Sequence, residues 1–338
     1  MLKGAFFGSI LALLLAVPQA LRSQEEPAPE VEAPPPSNPN QPPEHTKPFP
    51  NLAVGSTRDG RRASFELAPQ LDRGLSVAQI LEQRKRMSAA VSALAPQRPG
   101  VVDAYVLTIA LDSDPVFARE AREAGRVLSA RYDGAGRTLV LAGPDGKQDD
   151  LPRGSIRSFI EALAAISERM DGEEDVLVLY TTSHGSNLGL SYHYGDTGFG
   201  FLSPKLMQSA FKDAGIKRRI LIVSACYSGV FVPAMESADT AILTAAANNR
   251  TSFGCEAEND WTYFGDALIN RALRQPQSLG DASRQAARTV AGWEGQRRLL
   301  ASLPQLRIGD AVNGWLPALE ARMPQTASDP VGRPAIGE

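Results

Sequence analysis

Cysteine and histidine are both scarce in this 338-residue chain, which has two of the first and three of the second. Two cysteines, Cys226 and Cys255, cannot staple a fold, so the chain must rely on a buried core, and both are expected as free thiols. No Gly-x-Ser-x-Gly elbow, no phosphate-cradling glycine loop and no Cys-x-x-Cys pair occurs. Serine hydrolysis, nucleotide chemistry and dithiol redox chemistry therefore lack a carrier, and no cofactor is expected. The net charge is only -3, with both signs dispersed, which gives no electrostatic footprint for nucleic acid. His184, His193 and Asp196 share neither the helical nor the hairpin spacing of metal ligands, so no metal is expected.

The N-terminus reads as a targeting segment. Lys3 supplies a short positive region, and Ala5 to Val17 form an apolar run of signal-peptide rather than membrane-span length. Residues 1–23 are thus a signal peptide, with Ala20 before the cut, or an uncleaved anchor that would tether the chain to a membrane. No cysteine lies near enough for a lipid anchor. Residues 24–55 follow as a disordered spacer, since ten of the residues from Pro27 to Pro50 are proline. His45 falls inside it and takes no role in this reading. Residues 56–98 form a helical extension, in which Ser76 and Gln79 have the spacing of a capping box.

From residue 99 to 322 apolar runs alternate with helical patterns. Strands are expected over Val101–Leu111, Thr138–Ala142, Asp175–Thr182, the stretch from Arg219 that ends in Ser224-Ala225-Cys226, and Thr240–Ala246, with helices after Asp114, Ser155 and Ser203 and three more at about 261–274, 281–302 and 311–322. Strands separated by helices of this length require right-handed crossovers. The fold class is α/β: three layers, a mainly parallel sheet with helices on both faces. Residues 323–338 read as a flexible tail.

Two of these strands end in reactive residues, one in Ser183-His184-Gly185 and the other in Ser224-Ala225-Cys226. In a parallel sheet both ends emerge on one edge, where such sheets hold ligands. A cysteine beside a histidine suits acyl transfer through a thioester, the thiolate attacking and the imidazolium protonating the leaving amine. Gly185 has no side chain to shield its N–H, which with that of Cys226 could serve an oxyanion. Ser186 to Gly200, rich in glycine and carrying His193 and Tyr194, reads as a mobile flap beside the site.

A strand ending in His-Gly, then one ending in Ala-Cys, then Thr244 to Asp266 (TAAANNRTSFGCEAENDWTYFGD), together resemble the legumain-type cysteine peptidases, family C13, of the caspase-like fold. The SHG and SACYSG blocks look closest to the exported bacterial branch, which implies a periplasmic enzyme or one anchored to the membrane facing the periplasm. The resemblance implies that Cys226 is the nucleophile, His184 the acid/base and Gly185 an oxyanion donor. It implies a cysteine endopeptidase acting on a protein or peptide substrate. A transamidase or ligase of the same fold, and a caspase-fold binding module without chemistry, are the alternatives. Asp266 matches a substrate-pocket aspartate of the family, implying a preference for asparagine or a basic residue. Ser224 stands where the family has an acid, and Ser252 would contact bound peptide. Arg119 or Arg122 would supply the pocket arginine, Asp112 or Asp114 would replace the asparagine that orients the histidine, and Cys255 would pack against or line the pocket.

Overall fold

A computed structural model describes residues 38, 40–67 and 69–336. The targeting segment and the first part of the expected spacer lie outside these residues. Among the described residues no helix is long and apolar enough to cross a membrane.

In chain order, α1 (Arg58–Glu66), β1 (Gln70–Asp72) and α2 (Val77–Ser92) precede β2 (Ala104–Ala110). Then come α3 (Pro115–Arg131), β3 (Thr138–Leu141), α4 (Ile156–Ser167) and β4 (Val176–Thr182). A run of short strands, β5 (Gly185–Ser186), β6 (Gly189–Tyr194) and β7 (Gly198–Leu202), leads to α5 (Pro204–Asp213), β8 (Arg218–Ser224) and β9 (Thr240–Thr244). The chain closes with α6 (Leu279–Gln296), β10 (Gln305–Ile308) and short helical turns.

The central sheet has the order β10-β9-β8-β4-β2-β3, parallel throughout except for β10, which runs antiparallel on the edge beside β9. Every residue of β2 and β4 is buried, as a sheet covered on both faces requires. Successive side chains point to opposite faces. Val176, Val178 and Tyr180 therefore join Ile220 and Ile222 in one core with α6 and residues 263–273, while Leu177, Leu179, Leu221 and Val223 join α4 and α5 in the other. Two cores separated by one sheet make a three-layer α/β fold.

Helix starts follow local chemistry. Ser76 caps α2 with the full capping box, Ser155 and Ser203 accept from Ser158 N–H and Leu206 N–H, and Pro115 and Pro204 occupy first-turn positions where a missing N–H costs nothing. Asp114 precedes Pro115 but makes no cap with its side chain. Its carboxylate is used elsewhere.

Three departures from the sequence reading matter for the site. The expected flap is a sheet: β5, β6 and β7 pair antiparallel, and β1 of the extension adds to β7. The segment after Trp261 is not one regular helix but a tight turn over Tyr263–Gly265, a wide-turned stretch over Asp266–Arg271 and a narrow turn over Ala272–Arg274. The later part of the expected spacer packs on the body. Thr46 and Lys47 donate their backbone N–H groups to Asp196 at 3.1 and 2.9 Å, and the Phe49 ring sits edge-on to His193 and Phe199. Proline content forbids regular structure there, but one aromatic ring and two backbone donors are enough to dock an extended strand of chain.

Candidate active site

In the central sheet Thr182 of β4 lies opposite Ser224 of β8. His184 and Cys226 each stand two residues beyond that pair, on the carboxyl edge of adjacent strands. The two ends approach closely: a Cβ on Gly185 would lie 2.2 Å from the Cys226 carbonyl oxygen and 3.0 Å from Ala225 Cβ. Only glycine fits there.

Beyond Cys226 the chain turns sharply. Tyr227 adopts a left-handed conformation (φ 57°), rare for a residue with a side chain, and its N–H donates to the Arg250 carbonyl at 2.8 Å. That turn leaves the thiol against residue 252. Ser252 N–H donates to Cys226 Sγ at 3.2 Å, and Ser252 Oγ lies 3.6 Å from the sulfur. The sulfur also lies 3.5 Å from the Ser252 carbonyl oxygen, so both backbone groups of that residue face it.

His184 has a carboxylate partner. Its Nε2 lies 3.2 Å from Asp114 Oδ2, with the side chain still 45% exposed, and Phe117 meets the ring edge-on at 5.0 Å. Burial pulls the imidazolium down, but the hydrogen bond to Asp114 and the charges of Asp112 and Asp114 outweigh it and raise the His184 pKa above its ordinary value. The same hydrogen bond holds Asp114 below the usual carboxylate range. Asp112 differs: burial pushes it up to about 6 against the opposing charges of His184 and His45, and its Oδ2 is buried without a partner. Of the two candidates for orienting the histidine, Asp114 is the one in contact.

All three histidines of the chain meet around this turn. His45 stacks on His193 with ring centroids 3.6 Å apart and planes 12° from parallel. The ligand atoms of His45, Asp112 and His193 lie within 4.8 Å of one another. Ring nitrogens bind a metal in the plane of the ring, and two planes tilted by only 12° meet far beyond ligand distance, so the stacked pair as arranged does not converge on one ion. Burial, with the neighbouring His45 charge, lowers the His193 pKa to about 4.

The expected pocket residues fare unevenly. Ser252 touches the sulfur. Ser224 is buried, 3.2 Å from Thr262 Oγ1, and lines no open space. Asp266 is fully buried and its acceptors are spent on Arg271 (3.1 Å), Asn270 (2.9 Å) and the backbone N–H of Ala335 (2.9 Å). A carboxylate so paired cannot select a substrate side chain, and the expected preference for asparagine or a basic residue loses its carrier. Arg119 is engaged by Asp260 and the Ala257 carbonyl, and Arg122 by Asp145 and Asp150. Cys226 and Cys255 are both free thiols; burial raises the pKa of Cys255 well above the usual thiol range.

Two residues escaped the sequence reading. Glu120 on α3, fully buried, accepts from Thr182 Oγ1 at 2.8 Å and Thr262 N–H at 2.7 Å as well as from the Tyr180 hydroxyl, tying α3 and the loop before Tyr263 to the strand that carries His184. A carboxylate on the apolar face of an amphipathic helix was its one signal. His45 had a weaker one: it and Phe49 are the only ring side chains among the prolines of residues 27–50.

Residues 162–314 match the model of the Peptidase C13 family. That match spans somewhat less than half of the chain. Both His184 and Cys226 fall within the matched residues. Among solved structures the chain is similar to caspase-1 from Spodoptera frugiperda, at 15% identity and a TM-score of 0.41, over 61% of this chain and 85% of that one. No curated protein matches it.

Proposed function

We propose that this chain is a cysteine endopeptidase of the C13 type, in which Cys226 forms a thioester with the acyl half of a peptide and His184 moves the protons. The observation that carries the reading is the thiol and a carboxylate-held imidazole at the ends of adjacent parallel strands, β8 and β4. The Cys226 thiolate adds to the scissile carbonyl, and the oxyanion that forms is offered the N–H groups of Gly185 and Cys226. The His184 imidazolium, kept protonated by Asp114, gives its proton to the leaving amine as the C–N bond breaks. The neutral imidazole then takes a proton from water, whose hydroxyl adds to the thioester. Collapse releases the acid and restores the thiolate beside a protonated His184. Ser252, against the sulfur, would contact bound peptide. On the same reading the enzyme acts outside the cytoplasm, a step that rests on the sequence of residues 1–23.

A peptidyl electrophile that alkylates thiolates tests this reading. Wild type should be labelled at Cys226, and Cys226→Ala should lose both the label and all peptide cleavage. Equal labelling of the two proteins would sink the proposal. Mass analysis of the products with an added amine then separates hydrolysis from transfer.

A further inference from the structure

The N-terminal segment delivers a histidine to the turn that holds His184. Ser113 is the hub of that contact. Its hydroxyl has one proton, donated to the Pro43 carbonyl at 2.9 Å, and its oxygen accepts the Gly195 N–H at 2.9 Å. His45 Nε2 also lies 2.9 Å from the same oxygen, so the imidazole must bring its own proton and Nε2 is the donor. That nitrogen is 3.5 Å from Asp112 Oδ1, and His45 Nδ1 is 3.9 Å from Asp114 Oδ1. Asp112 Oδ1 in turn accepts the Asp114 N–H at 3.0 Å. One ring therefore spans the whole Asp112–Asp114 turn, and the remaining oxygen of Asp114 points at His184.

The far side of the ring is fixed as firmly. His45 lies flat on His193, whose backbone N–H donates to the Leu111 carbonyl and whose carbonyl accepts the Ser113 N–H, both at 2.9 Å. The segment is pinned next door by Thr46 and Lys47 on Asp196. It lies on the carboxylate side of His184 and leaves the imidazole 45% exposed, so it braces the site and does not plug it.

We propose that His45 is a positioning residue for the Cys226–His184 pair, holding the Asp112–Asp114 turn so that Asp114 Oδ2 meets His184 Nε2. This rests on the reading of His184 as the acid/base. The turn carries two carboxylates close together, Asp112 buried and Asp114 part-exposed, and their repulsion favours splaying unless the turn is held from outside. The His45 ring packs beside both carboxylates and, through its Nε2–H on Ser113, ties the turn to a part of the chain outside the sheet and the matched family segment.

The test uses the full chain with His45→Ala, His45→Phe and His45→Gln. Removing the nitrogens frees Asp114 to turn away, so kcat should fall about tenfold to a hundredfold with KM within about twofold, as expected when orientation and not binding is lost. The glutamine amide can still donate to Ser113 and should recover part of kcat. His184 should titrate at lower pH in the alanine and phenylalanine variants, because its imidazolium loses its partner. With only three histidines in the chain, NMR of ring-labelled histidine reads this directly. Asp112 and Asp114 on the turn, His45, His193 on β6 and Cys226 after β8 are the titrating groups around it. The phenylalanine variant preserves the stack on His193 and keeps the test alive if the alanine variant fails to fold. An unchanged His184 titration and unchanged kcat in His45→Phe, or a loss confined to KM, would overturn the proposal. If wild type cleaves no peptide, the endopeptidase reading fails, and the titration still decides whether His45 positions the turn.

Discussion

At the scale of single residues, the site depends as much on what is missing as on what is present. Gly185 is the sharpest case. Any side chain there must enter space held by the Cys226 carbonyl, a backbone atom with no rotamer to yield. Gly185→Ala should therefore separate the ends of β4 and β8, costing about 1–3 kcal/mol in stability as overpacking does. It should also abolish detectable peptide cleavage, because the oxyanion donors and the sulfur move apart. Denaturant unfolding and a peptide assay on one preparation check both, and a variant with wild-type turnover would refute the close approach. Asp266 teaches the converse. Its place in the sequence motif fits a pocket residue, yet Arg271, Asn270 and Ala335 use its oxygens, and no sequence pattern announces which partners a carboxylate will find three-dimensionally.

At the scale of elements, α3 is the member that joins the two halves of the site. It begins at Pro115, directly after the Asp112–Asp114 turn, and one helical turn later presents Glu120 to β4 and to Thr262. Removing that carboxylate strands a tyrosine hydroxyl, a threonine hydroxyl and a backbone N–H in the core. Glu120→Ala should cost about 1–3 kcal/mol for each buried donor that finds no other partner. Thermal melting reads this, and a shift within error of wild type would show that the three donors find other partners. The elements themselves were largely legible. β2, β4 and the Ile220–Val223 core of β8 are dominated by β-branched, aromatic and long apolar residues, and the caps at Ser76, Ser155 and Ser203 are local signals that tertiary contacts had no reason to override. Their shared edge followed from parallel topology alone, which is why His184 and Cys226 could be paired from sequence. β5 to β7 were hidden because glycine-rich strands lack a side-chain period, and β10 because its register is set by β9 and not by its own pattern. His45 was hidden for a related reason: composition describes what a segment cannot form by itself, and says nothing of a surface that is waiting for it.

At the scale of the whole molecule, the N-terminal segment, the small sheet and the central sheet meet at one cluster of titrating groups, so the site and the pH dependence of folding are linked. His193 has a folded pKa near 4 against an ordinary value of 6.5, through burial first and the His45 charge second. Between those values the unfolded chain holds the extra proton, so acidification through this window favours unfolding. Asp112 has the opposite sign. Burial raises it to about 6 from 3.8, the folded chain holds the extra proton between those values, and acidification there favours folding. The two windows overlap from about pH 4 to 6, and the contributions oppose each other. His193→Phe should remove the first and leave the second, so its Tm should fall less than that of wild type between pH 6.5 and 4. Asp112→Asn should do the reverse and fall more steeply. Scanning calorimetry of the three proteins across that range measures the difference, every other titrating group being common to all. Three parallel curves would mean that neither group is perturbed by folding, and that the buried cluster around His184 is not formed in solution.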